Sequence, residues 1–112
     1  MKFNYKPTGP SRMNAPKQWE VWLADASFSG AKKRCAVVVG KRSPAGFAVH
    51  EVVPLSQKAP KDIIISNLEK AGQDRPGAVR TSVSATIQNA DFVQKLGVLA
   101  NEDISKIISS RQ

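Results

Sequence analysis

Apolar and polar residues alternate between Gln18 and Asp25. Trp19, Val21 and Leu23 fall on one side, and Glu20, Trp22 and Ala24 on the other. A period of two marks a strand, expected to end near Asp25. Residues 26–33 are small, polar and carry Gly30, so they read as a loop. Arg34-Cys35-Ala36-Val37-Val38-Val39-Gly40 is a short apolar run between turn signals, as in a strand buried on both faces. Ser43-Pro44-Ala45-Gly46 marks a turn, residues 47–53 form the returning strand of a hairpin, and Pro54 ends that strand or lies at its edge. Ile63-Ile64-Ile65 centres another strand. Residues 66–77, rich in Asn, Gly, Asp and Pro, form a loop long enough to be a working one. Residues 78–87 show the cleanest alternation. Val79, Thr81, Val83, Ala85 and Ile87 share one face, and Arg80, Ser82, Ser84 and Thr86 share the other. The chain closes with a helix: Asn101 is a good N-cap, Glu102 and Asp103 suit its positive end, and Ile104, Ile107 and Ile108 make an apolar stripe. Five or so short strands followed by one helix predict a small β-barrel, mainly β, with the helix packed on it.

Composition narrows the class. The 112 residues suit a single domain, and 41% hydrophobic with 23% charged residues is the balance of a globular protein. No apolar stretch approaches the length of a membrane span, and the first ten residues carry no apolar signal core. A cytoplasmic protein without membrane contact is expected. With one cysteine, Cys35, and one histidine, His50, neither an internal disulfide nor a Cys/His metal cluster is expected, nor any cofactor. The charge changes the picture more. Net charge is +8, and residues 1–58 hold ten basic against three acidic side chains, while residues 59–112 hold seven against six. That asymmetry points to a polyanionic partner, nucleic acid or an acidic protein segment. Residues 1–17, with Lys2, Lys6, Arg12 and Lys17 and no acid, read as a basic arm or tail ahead of a single domain over 18–112.

Five segments, in order, carry a family resemblance. They are Trp19-Glu20-Val21-Trp22-Leu23, Lys33-Arg34-Cys35-Ala36-Val37-Val38-Val39, Val52-Val53-Pro54-Leu55-Ser56-Gln57, Gly77-Ala78-Val79-Arg80, and Lys95-Leu96-Gly97-Val98-Leu99 leading into Asn101-Glu102-Asp103-Ile104. Over about residues 18–110 the chain resembles the MazF/PemK toxins of bacterial toxin–antitoxin pairs. The resemblance implies an SH3-like β-barrel of the CcdB/MazF/PemK type with a C-terminal helix, acting as a homodimer. It implies metal-independent cleavage of single-stranded RNA, in which the 2′-OH attacks the adjacent phosphate to leave a 2′,3′-cyclic phosphate and a 5′-OH. It also implies a cognate antitoxin with an acidic tail, and contact with DNA only through that antitoxin.

The resemblance assigns catalytic roles to Arg34, Ser56 and Arg80. Arg34 matches the family's arginine at the start of the second strand, where a guanidinium can hold a phosphate bidentately and stabilise the charge of a phosphorane. Ser56 falls near the family's threonine, and its hydroxyl can orient the 2′-OH or the phosphate. Arg80 matches the arginine of a Val-Arg-x-Asp element, on a polar strand face expected beside Arg34. Lys32, Lys33 and Ser82 are the expected RNA-binding residues. The bland alternatives are a solvated charge at the end of the Lys32-Lys33-Arg34 run and an exposed cross-strand charge at Arg80. The chain departs from the family at several positions. Cys35 replaces a proline, Ser82 stands where the Kid/PemK branch has aspartate, Ala85 precedes Thr86 where an Arg-Thr pair is usual, and the first loop lacks a histidine. No general base is therefore obvious. Two rival functions follow: a weak or inactive barrel that binds nucleic acid or antitoxin, and a gyrase-targeting relative. His50 and Cys35 read as structural residues. Trp19 and Trp22 point to opposite strand faces, one toward the core and the other toward a dimer surface or a stacked base.

Overall fold

The computed structural model describes residues 15–25 and 33–110. Among these residues, seven antiparallel strands and one α-helix follow one another: β1 (Glu20–Ala24), β2 (Arg34–Lys41), β3 (Gly46–Pro54), β4 (Ile63–Ile64), β5 (Gly77–Val79), β6 (Ala85–Gln88), β7 (Phe92–Val98) and α1 (Asn101–Ser110). Neighbours in the sheet run β4-β5-β3-β2-β1-β7, and β6 pairs with β3. The long strand β3 is the pivot. Its first half pairs with β6, Phe47 opposite Ile87, and its second half with β5, Val52 opposite Val79.

The sheet curls around two clusters of apolar side chains. Because β2 is covered on both faces, its alternation feeds both clusters. Val37 and Val39 join one, with Val21, Val52, Val79, Leu99 and Ile107, while Ala36 and Val38 join the other, with Trp22, Phe47, Val49, Ile87 and Phe92. Trp22 and Phe47 each meet the Phe92 ring edge-on, with centroids 5.7 and 5.6 Å away. Both tryptophans are packed: Trp22 fills the second cluster, and Trp19 lies against the first. The opposite-face expectation holds: Trp22 fills the core, and Trp19 is half-buried against the other cluster.

Three expectations need correction. Residues 78–87 do not form one strand. After Val79 the Arg80 N–H donates to the Glu51 carbonyl, the chain turns, and pairing resumes at Ala85. One unbroken strand would put Val79 and Ile87 on the same face, whereas they enter different clusters. A seventh strand, β7, was not marked by the pattern, because of its residues only Phe92 is buried. The helix begins at Asn101, and the Ala100 carbonyl accepts the Asp103 and Ile104 amides, so the cap position shifts back by one. Its buried face centres on Asp103 and Ile107, which turns Ile108 outward to 44% exposure.

Residues 66–77 fold back as a compact turn. Asn67 Oδ1 accepts the Lys70 amide, and the Val98 amide donates to the Lys70 carbonyl, tying the turn to β7. The approach is close enough that a side chain at Gly97 would collide with the Lys70 carbonyl. Gly72, at φ +70°, likewise sits against the Leu96 carbonyl.

Candidate active site

At one end of the barrel, where β2 begins and β3 ends, lies an open cleft of about 550 Å³. Leu23, Cys35 and Val52 line its apolar part, Lys33 and Arg34 one wall, the turn from Pro54 to Ser56 a second, and Gln73 to Gly77 a third. Local sequence explains each wall. Arg34 occupies the first position of β2, before the strand turns wholly apolar. Pro54 closes β3 and tips the chain into a 3₁₀ turn, Leu55–Gln57, that presents Ser56. The third wall is the far half of the loop that the sequence marked as a working one.

Arg34, Ser56 and Lys33 therefore share one cleft. Lys32 lies outside the described residues, and so does the arm up to residue 14. Ser82 is exposed in the turn between β5 and β6 and does not line the cleft. Arg80 is not on a cleft wall either, but stands behind one. Its Nη2 donates to the Gln57 carbonyl at 2.7 Å, next to Ser56, and its Nε and Nη2 donate to Asp62 Oδ2 at 3.1 and 3.0 Å. The two arginines flank Glu51. Arg34 Nε lies 3.3 Å from Glu51 Oε2, and the Glu51 carbonyl takes the Arg80 amide.

Electrostatics follow from these pairings. Burial alone would raise the Asp62 carboxyl, but the Arg80 hydrogen bond, the Ala59 amide and the charges of Arg80 and Lys58 outweigh it and hold the pKa below the ordinary value. Asp62 is thus a carboxylate at neutral pH. Its hydrogen bond, chiefly, holds the Arg80 guanidinium even more firmly protonated than usual. At Cys35, burial pushes the thiol up against the opposing influence of Gln73 and Arg34, so it is a poor nucleophile. Nδ1–H of the buried His50 donates to the Val83 carbonyl at 2.9 Å, and His50 is absent from the cleft walls, in line with its structural reading.

Sequence reasoning missed Glu51, Asp62, Gln73 and Arg75. A lone carboxylate within the apolar run of β3 was the available signal for Glu51. Nothing local marks Asp62, whose partner lies 18 residues away.

A small curled antiparallel sheet with one terminal helix and a cleft lined by Lys33, Arg34 and Arg75 at a strand start defines a barrel-type module. The family model for PemK-like, MazF-like toxins of type II toxin–antitoxin systems matches residues 17–110, and the chain belongs to that family. No individually curated protein matches it. Among solved structures it is similar to an endoribonuclease from a mycobacterial species in complex with its cognate antitoxin, at 17% identity and TM-score 0.69 over 88% of this chain and 91% of that one. A second mycobacterial endoribonuclease matches at 15% identity and TM-score 0.67, over 87% and 88% of the two chains. The Mycobacterium tuberculosis toxin MazF-mt6 matches at 13% identity and TM-score 0.66, over 81% and 90%. At these identities the structural likeness bears on the fold, which is the expected one. Among the described residues, no helix is long and apolar enough to cross a membrane.

Proposed function

We propose that the chain is the toxin of a toxin–antitoxin pair and an endoribonuclease that cleaves single-stranded RNA in this cleft, as a cytoplasmic homodimer restrained by an antitoxin with an acidic tail. The observation that carries the reading is the meeting of Arg34 and Ser56 in one cleft of a chain belonging to the toxin family. The scissile phosphate lies against Arg34, whose guanidinium stabilises the extra negative charge as the ribose 2′-oxygen bonds to phosphorus. The Ser56 hydroxyl orients the 2′-OH or a phosphate oxygen. The P–O5′ bond breaks, the 2′-OH proton is lost, and the departing 5′-oxygen gains one, leaving a 2′,3′-cyclic phosphate and a 5′-OH. Arg80 supports the reaction from behind the Ser56 turn, while Lys32, Lys33 and Ser82 bind flanking phosphates. DNA is met only through the antitoxin.

The test is incubation of the folded chain with short single-stranded RNA in EDTA and analysis of the product ends. Cyclic phosphate and 5′-hydroxyl ends are expected. Intact RNA would favour a second reading, a binding barrel with little chemistry. One feature supports that reading: Arg34 and Arg80 are both paired with carboxylates, Glu51 and Asp62.

A further inference from the structure

The turn that carries Ser56 has little apolar anchorage. Pro54, Leu55, Ser56 and Gln57 are all exposed, so hydrogen bonds hold the turn in place. The Leu55 amide reaches the Pro76 carbonyl at 3.3 Å, the Lys58 amide closes the turn on the Leu55 carbonyl, and Arg80 holds the Gln57 carbonyl by the shortest bond of the set. Arg80 is itself aimed by Asp62. That side chain is only 1% exposed, and its Oδ2 takes both Arg80 donors and, at 2.9 Å, the Ala59 amide at the far end of the same loop. One carboxylate oxygen thus gathers two points just after Ser56, Gln57 through Arg80 and Ala59 directly.

Its other oxygen, Oδ1, is buried and has no hydrogen-bond partner among the described residues. Such a group is costly, and a buried ion pair can often be replaced by apolar side chains with no loss of stability. Stability is a weak reason for keeping the arrangement; fixing a working turn is a better one.

We propose that Asp62 is a positioning residue. Through Arg80 and the Gln57 carbonyl it fixes the Leu55–Gln57 turn, so that Ser56 stands on the cleft wall facing the phosphate held by Arg34. Its catalytic consequence rests on the ribonuclease reading above; its mechanical part does not.

The test uses the full chain with Asp62→Asn, which keeps the shape and removes the charge, and Arg80→Lys, whose point charge cannot serve Asp62 and Gln57 together. Amide hydrogen exchange at Gln57 and Lys58 should quicken by about tenfold or more in both variants, with exchange in β2 unchanged. In the cleavage assay, kcat should fall in Asp62→Asn by about the same factor as in Ser56→Ala, roughly fivefold, with KM nearly unchanged, as expected when alignment and not binding is lost. Adding Ser56→Ala to Asp62→Asn should then cost almost nothing further, since both act through one hydroxyl. Unchanged exchange at the turn overturns the proposal, even if the protein cleaves no RNA. So do losses from Asp62→Asn and Ser56→Ala that simply multiply. Should Asp62→Asn fail to fold, the Arg80→Lys exchange and the Arg80→Lys/Ser56→Ala cycle decide the matter by the same criteria. Intact RNA with wild-type protein alongside quickened exchange in the variants refutes the ribonuclease reading alone.

Discussion

Glu20 and Asp62 are both buried carboxylates facing a basic side chain, Lys95 in one case and Arg80 in the other. Glu20 uses both oxygens. Oε1 takes the Trp22 indole N–H and the Lys17 amide, each at 2.9 Å, and Oε2 takes Lys95 at 3.1 Å. Its partners sit in β1, in β7 and just ahead of β1, so the carboxylate staples two paired strands and satisfies a core tryptophan. Asp62, in the loop ahead of β4, loads a single oxygen, leaves the other without a partner among the described residues, and reaches back to Ala59 and, through Arg80, to an exposed turn. A saturated carboxylate inside the sheet contributes stability. A half-used one that grips a cleft wall contributes placement. The same residue chemistry serves the frame at one end of the molecule and the working surface at the other.

The contrast breaks first if the cleft is not the working end. Arg34→Ala should slow RNA cleavage by about 10²–10³-fold, the usual loss when one donor to a developing oxyanion is removed. Circular dichroism should stay that of the parent. An unchanged time course would move the chemistry elsewhere.

Glu20→Ala sharpens the contrast from the other side. It leaves the Trp22 N–H buried without its acceptor, at a cost of about 1–3 kcal/mol, read as a lower Tm and denaturation midpoint. Cleavage per folded molecule should hold. A variant of normal stability that cleaves poorly would show that Glu20 belongs to the site.

Ser56→Ala should lose one neutral hydrogen bond, worth about 1 kcal/mol or roughly fivefold in rate, with Tm unchanged. A loss as large as that of Arg34→Ala would give the hydroxyl a larger chemical role than orientation.

The smallest effect lies in acid. At Glu20, burial alone would raise the pKa, but the bonds from Trp22, Lys17 and Lys95 outweigh it and hold it below its ordinary 4.5. Asp62 is likewise held below its ordinary 3.8. In this window the unfolded chain binds more protons than the folded one. The stability both groups supply is therefore complete above those ordinary values and lost as pH falls through the lower folded ones. The urea midpoint should decline over that acid range, and Glu20→Gln should flatten the decline. An identical acid limb in the variant would mean that Glu20 is not charged in the fold.

Legibility from sequence varied for physical reasons. β1, β2 and β3 were readable because each is a mostly buried, mostly apolar stretch bounded by polar or turn-forming residues. β7 was not, since it lies at the sheet edge with one buried residue and is placed by its ladder with β1 and by the close approach of Gly97 to Lys70, neither of which a local pattern registers. The alternation over residues 78–87 was real but misleading, because the chain breaks at Arg80 to serve two clusters. In the site, Arg34 and Ser56 came from the family resemblance and fall in one cleft. Arg80 was expected beside Arg34 on a shared polar face. It lies instead behind the Ser56 turn, with Glu51 between the two arginines.

By itself, the sequence determined the class of fold, the two-faced burial of β2, the terminal helix and the basic character of the cleft rim, because apolar period and charge are properties of neighbouring residues. Only the tertiary structure decided which charges meet. Arg34 finds Glu51, Lys95 finds Glu20, and Arg80 finds Asp62 across gaps that local pattern does not register. Those pairings depend on strand register, on the break after Val79 and on the path of the loop from Pro54 to Asp62. Each is set by how the two apolar clusters close, a long-range condition that no short window of sequence contains.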